Sequence, residues 1–135
     1  MLQPLFDSTV VPLLEKVAAF GERRQEVLAG NIANIDTPEY RRRDLPVAEF
    51  QKALKEAVAA PVRNAGESTR DERFPGELFR AIEPEPANIV FQDGSDRSIE
   101  HEVMEMTRNA MMQSFAVELL AAQLRMLEAA VSERA

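Results

Sequence analysis

The chain has 135 residues, 45% hydrophobic and 29% charged, with 16 basic against 23 acidic side chains, a formal net charge of −7, one histidine and no cysteine. That length corresponds to about one domain; the missing cysteine excludes disulfides and thiol chemistry, and a lone imidazole leaves oxygen ligands for any metal, which excludes a zinc site of the usual nitrogen and sulfur donors. The acidic balance opposes binding to a nucleic-acid backbone unless the basic residues cluster, and they are mostly dispersed.

The opening residues "MLQPLFDSTVVPLLEK" carry neither a basic start nor a continuous apolar run, and no stretch of about 18 apolar residues occurs. The expectation is a soluble protein without a cleavable signal peptide, with its destination left open by composition. From Val10 to Ile35 apolar residues recur at helical spacing through Leu13, Leu14, Val17, Phe20, Val27, Leu28, Ile32 and Ile35. This predicts a helix over about 9–35, with Ser8 or Thr9 as cap, Pro12 in the first turn, and Leu13, Val17, Val27 and Leu28 as packing residues.

Asn31 and Asn34 continue the Phe20, Arg24, Val27 row. One asparagine can end the helix, because asparagine tolerates the left-handed conformation of a C-cap. Two on a packing face point to hydrogen bonds that fix register, as single buried asparagines do in coiled coils. Asp36 and Thr37 can then bond nearby backbone, and Pro38 gives the chain a set exit. Arg41, Arg42 and Arg43 follow beside Tyr40, with Arg23 and Arg24 upstream; an exposed hinge or a salt-bridge partner for another subunit weighs more here than a phosphate grip.

The middle, 46–97, holds prolines at 46, 61, 75, 84 and 86 and a weak helical piece, Val47–Val58. The stretch "PVRNAGESTRDERFPGE" reads as a mobile loop, Asn88–Gln92 as a short extended run, and "DGSD" as a turn. The C-terminal unit, 98–135, is the stronger helix, expected over about 99–132. Val103, Met106, Ala110, Gln113, Val117, Leu120, Leu124, Leu127 and Val131 form a heptad seam. Beside it runs a second stripe of Met104, Met111, Phe115, Leu119, Ala122 and Met126, and a helix apolar on two sides needs more than one neighbour. A methionine-rich stripe serves core filling and adaptable binding alike.

Catalytic constellations are scarce. His101 stands among Glu100, Glu102 and Glu105 as a solvated side chain without a positioned partner. The glycines form neither a dinucleotide fingerprint nor a Walker loop, and the acid pairs Glu83 with Glu85 and Asp93 with Asp96 lie in proline- or turn-rich segments without fixed separation. The expectation is a protein that is not an enzyme, with no cofactor, no metal and no nucleic acid.

The stretch "AGNIANIDTPEY", through Asn31, Ala33, Asn34, Thr37, Pro38 and Tyr40, resembles the Asn-x-Ala-Asn-x-x-Thr-Pro-Gly-Tyr signature of the bacterial flagellar axial proteins of the rod and hook. Glu39 stands where that signature carries glycine. The continuation Arg43-Asp44-Leu45, the short length and the segment "RNAMMQSFAVELLAAQLRMLEAAV" look like the small proximal-rod members, without the Ser/Thr-Tyr-Gln-Ala-Asn-like motif of a sibling. The resemblance implies an all-α fold whose long N- and C-terminal helices pair as an antiparallel coiled coil around a partly ordered, proline-containing middle. It implies export by the flagellar type III apparatus, polymerisation through the terminal helices, and partners among other rod proteins and the adaptor joining membrane ring to rod. A cytoplasmic export chaperone or adaptor, a nucleic-acid-binding regulator using Arg41–Arg43, and an enzyme stand as the alternatives, in that order.

Overall fold

The computed structural model describes residues 10–60, 72–83 and 94–133. They form helix α1 (Val11–Ala33), helix α2 (Val47–Ala59), a 3-10 turn (Gly76–Phe79) and helix α3 (Gly94–Ser132). Among the described residues the extended pairing is one antiparallel bridge, Asp44 with Ile82, made by Asp44 N–H to Ile82 O at 3.0 Å and Ile82 N–H to Asp44 O at 2.9 Å.

Local chemistry sets the ends. Pro12 sits in the first turn of α1, where its missing N–H costs nothing. The residue before that helix is Val10, which makes no side-chain cap; Ser8 and Thr9 lie outside the described residues. α2 runs one residue past the expected piece and stops at Ala60, which is extended (φ −73°, ψ 137°) because Pro61 follows it and disfavours helical geometry. α3 starts at Gly94, earlier than position 99, so Gly94, Ser95 and Asp96 belong to the helix rather than to a turn; such residues favour helix starts and turns alike. Asn88–Gln92 falls outside the described residues.

The apolar core is not where the two long helices meet. It is a cluster of Phe20, Leu45, Phe50, Ala53 and Phe74, flanked by Leu13, Val17, Val47, Leu54, Leu78 and Phe79. Phe20 of α1 stacks on Phe50 of α2 with centroids 3.9 Å apart and rings 14° from parallel. Phe79 meets both edge-on, at 6.0 and 6.1 Å, and Phe74 lies 5.5 Å from Phe50. Such pairs add to area burial through the quadrupoles of the rings. The sequence puts Phe74 inside a polar mobile loop; in the fold it is 3% exposed. One aromatic in a polar stretch gives no periodicity, so its destination cannot be read locally.

α1 also packs along α3. At 23 residues α1 is about 35 Å long and at 39 residues α3 is about 58 Å long, so α3 overhangs its partner. Asn31 meets Glu102, Arg24 meets Glu105, Gln25 meets Asn109, and Gly21 lies against Gln113. Numbers therefore rise on one helix as they fall on the other. None of the described helices is long and apolar enough to cross a membrane.

Candidate assembly interface

The two asparagines do different work. Asn34 caps α1: its backbone N–H reaches Gly30 O at 3.1 Å and its side-chain Nδ2 reaches the same oxygen at 2.9 Å. Its Oδ1 accepts from the Thr37 hydroxyl at 3.3 Å. Asn31 is 3% exposed and fully engaged. Its Nδ2 donates to Arg43 O at 2.6 Å and to Glu102 Oε2 at 3.0 Å, while its Oδ1 accepts from Arg43 N–H at 3.0 Å and from the Tyr40 hydroxyl at 3.2 Å. Two donors and two acceptor lone pairs are all that an amide side chain has. Of the two, only Asn31 bonds across to α3, and its partners are in the same chain.

The exit loop is folded to make this possible. Tyr40 N–H bonds Thr37 O at 3.2 Å, with Pro38 second and Glu39 third in the turn. Glu39 has φ 63°, so the left-handed geometry that glycine would supply is kept by a glutamate. That turn carries the backbone back, bringing Tyr40 and Arg43 onto Asn31.

A second layer is ionic. Arg24, 8% exposed, holds Asp44 with a parallel pair of hydrogen bonds, Nε to Oδ1 and Nη2 to Oδ2, both 2.9 Å, and Nη2 also reaches Glu105 Oε2 at 2.7 Å. The hydrogen bond to Asp44 raises the proton affinity of Arg24 above that of an ordinary guanidinium, outweighing burial, and Glu105 adds to it. Burial by itself would push the Glu105 carboxyl up, but the hydrogen bond and charge of Arg24, with His101 and Arg108, hold it below its ordinary value of 4.5. Glu102, 2% exposed, is bound by Arg42, which also donates to His101 Nε2 at 3.3 Å. Farther along, Asn109 donates to Gly21 O at 2.8 Å and Gln25 Oε1 at 2.9 Å. The basic cluster is thus largely engaged inside the chain: Arg42 as described and Arg41 on Glu83 at 3.2 Å.

The α3 line facing α1 carries Glu102, Asn109 and Ala116 buried, with Met106, Gln113, Leu120, Gln123 and Leu127 half-buried. The expected seam shares Met106, Gln113, Leu120 and Leu127 with it; the other half lies one residue away. Val103, Val117 and Leu124 stay 48, 49 and 43% exposed. Buried Glu102 and Asn109 displace them because each finds partners on α1 or the loop, which an apolar pattern cannot reveal. On α1, Leu28 is fully buried and Leu13, Val17 and Val27 are half-buried, while Ala33, Thr37 and Pro38 are exposed and Tyr40 lies at the edge of exposure.

Outward, α3 presents large apolar side chains along most of its length, including Met104, Met111, Met112, Phe115, Leu119 and Met126. At about 100° per residue, they and the Val103, Val117, Leu124 row flank a narrow polar line of Glu100, Thr107, Ser114 and Arg125 opposite α1. Large apolar side chains exposed in such a run are unusual on the surface of a folded chain. His101 is exposed, and among the described residues no group of three or more histidine or acidic side chains is placed to hold a metal ion.

The chain is 30% identical over 131 residues to the flagellar basal body rod protein FlgB of Aquifex aeolicus (strain VF5), covering 93% of this chain and 94% of that protein. It is 29% identical over 111 residues to the proteins of the same name from Escherichia coli (strain K12) and Shigella flexneri, covering 76% of this chain and 78% of each. No family model matches.

Proposed function

Because this chain belongs to the FlgB family, structural proteins of the flagellar basal body rod, we propose that it is a subunit of the proximal rod that polymerises through its terminal helices. The observation that carries the reading is the outer surface of α3, apolar on both flanks in the single chain. Val103, Met106, Val117, Leu120, Leu124 and Leu127 on α3, with Leu13, Val17, Val27 and Leu28 on α1, are the packing residues. Leu28 with half-buried Met106, Leu120 and Leu127 holds α1 to α3 as an antiparallel coiled coil, Leu13 and Val17 brace α1 on the aromatic core, and the exposed members meet neighbouring subunits. Contacts between unlike surfaces of one chain that do not close into a ring build open helices, the symmetry a rod needs.

The partners on this reading are further copies, other rod proteins and the adaptor between membrane ring and rod. The chain reaches them by type III export from the cytoplasm. A pairing of α1 with α3 that rests on polar and ionic contacts suits a subunit delivered as an unfolded chain, because specificity is kept without a large apolar interface.

The test is quantitative immunoblotting of detergent-purified basal bodies, beside cytosol, from a swimming strain with an epitope inserted between residues 64 and 70. Recovery at several copies per basal body is the expected result. A chain that stays in the cytosol while basal bodies are intact overturns the reading in favour of a cytoplasmic export chaperone.

A further inference from the structure

α2 packs on one side of α1 and α3 on another, and between α2 and α3 they leave a cleft of about 470 Å³. Phe20 and Gly21 form its floor, Val47, Phe50 and Gln51 one wall, and Met112 and Gln113 the other, with Arg108 on the rim. Farther along α3, Met111 and Phe115 stand 69 and 64% exposed beside Ser114, with Glu118 one turn beyond.

We propose that the cleft seats the α3 patch of a second copy of this chain, with Phe115 entering between α2 and α3 and Glu118 reaching Arg108; the proposal rests on the rod-subunit reading. Charge complementarity selects this occupant. Each copy carries a net −7, so copies repel, and a contact between them needs a cation facing an anion as well as apolar area. Arg108 is that cation: its side chain is 65% exposed and held by Glu105 of its own helix at 3.2 Å. Glu118 is the anion, and between Ala110 and Leu124 it is the charged residue of the helix. Met111 lines both the cleft and the patch, so a neighbour seated in one touches the edge of the other and the contact is continuous. Because cleft and patch share only Met111 among their lining residues, every copy offers both, and the contact propagates instead of closing on itself as a two-fold dimer does.

The lack of cysteine in the chain makes the test clean. Two differently tagged copies, one with Gln51→Cys and one with Ser114→Cys, are expressed together, and purified basal bodies are mildly oxidised. The expected result is a disulfide-linked dimer carrying both tags. Separately, Phe115→Ser should keep the helical content of the purified chain while lowering its copies per basal body by roughly tenfold, the effect expected when burial of one phenylalanine is lost. Basal bodies that contain both cysteine variants but yield no two-tag dimer, a disulfide from the Gln51→Cys copy to a different rod protein, or a Phe115→Ser chain assembled at normal copy number overturns the inference and leaves the rod reading standing. Absence of the tagged parent chain from basal bodies overturns the rod reading itself.

Discussion

Asn31 behaves as a peptide group lent by a helix to a loop. Its amide pairs with both the N–H and the carbonyl of Arg43, as a neighbouring strand would, and gives its remaining bonds to Tyr40 and Glu102. Removing it takes one hydrogen bond from the buried Glu102 carboxylate, which keeps Arg42, and leaves the backbone N–H and carbonyl of Arg43 without their partner, whereas removing Asn34 loses a helix cap at a half-buried position. We therefore expect Asn31→Ala to cost about 3 kcal/mol and Asn34→Ala about 1 kcal/mol in urea unfolding followed by circular dichroism. Equal losses would mean that the Asn31 bonds confer no stability of their own. The single tyrosine, in a chain without tryptophan, makes Tyr40 fluorescence a reporter of this clasp. Glu39 is the strained member of the loop: a left-handed residue with a Cβ costs on the order of 1–2 kcal/mol, partly offset by the extra freedom glycine has when unfolded. Glu39→Gly should raise the urea midpoint, by about 0.5–1 kcal/mol in stability, and a lowered midpoint would mean that the turn carries no such strain.

Between elements, the chain divides its chemistry. α1 meets α2 and the 3-10 turn through phenylalanine rings and meets α3 through amides and ion pairs. Phe50→Ala should therefore cost about 3–5 kcal/mol, because it empties the centre of the one aromatic cluster described. Phe115→Ala, exposed on the outer side of α3, should change the unfolding of the isolated chain by less than about 0.5 kcal/mol. If the two cost the same, Phe115 is packed within the single chain and the outer face is not a free one. Gly21 also acts between helices: a Cβ there would stand 3.2 Å from Cβ of Gln113, so glycine sets how closely α1 and α3 approach.

Across the folded chain, the ion pairs couple stability to pH. Glu105 binds its proton less readily folded than unfolded, so its contribution is fully present above its ordinary value of 4.5 and fades as pH falls through the lower folded value. Wild-type protein should lose stability between about pH 5 and pH 3, and Glu105→Gln should lose less over the same window. Parallel pH curves for the two would show that the carboxylate of Glu105 does not drive the acid response. The same acidic balance bears on the proposed contact, in which like-charged copies are drawn together by apolar flanks and by a few placed charges such as Arg108 and Glu118.

The helices were legible in the order of residues alone, because apolar spacing at 3.6 residues is a local property: α1, α2 and α3 lie where periodicity puts them, give or take a few residues at the ends. So was the family, through a run from Asn31 to Tyr40 whose order is specific, and so was the oddity of Asn31 and Asn34 on a packing face. Three-dimensional packing was needed to show which asparagine caps α1 and which bonds to α3, that Phe74 and Phe79 join Phe20 and Phe50, and that α3 turns Glu102 and Asn109 inward while Val103 and Val117 face out. The cause is that a polar side chain is buried at little cost only when its hydrogen-bond partners converge on it. Those partners come from Gly21, Gln25, Arg42 and other residues far away in the chain, where no local period reaches.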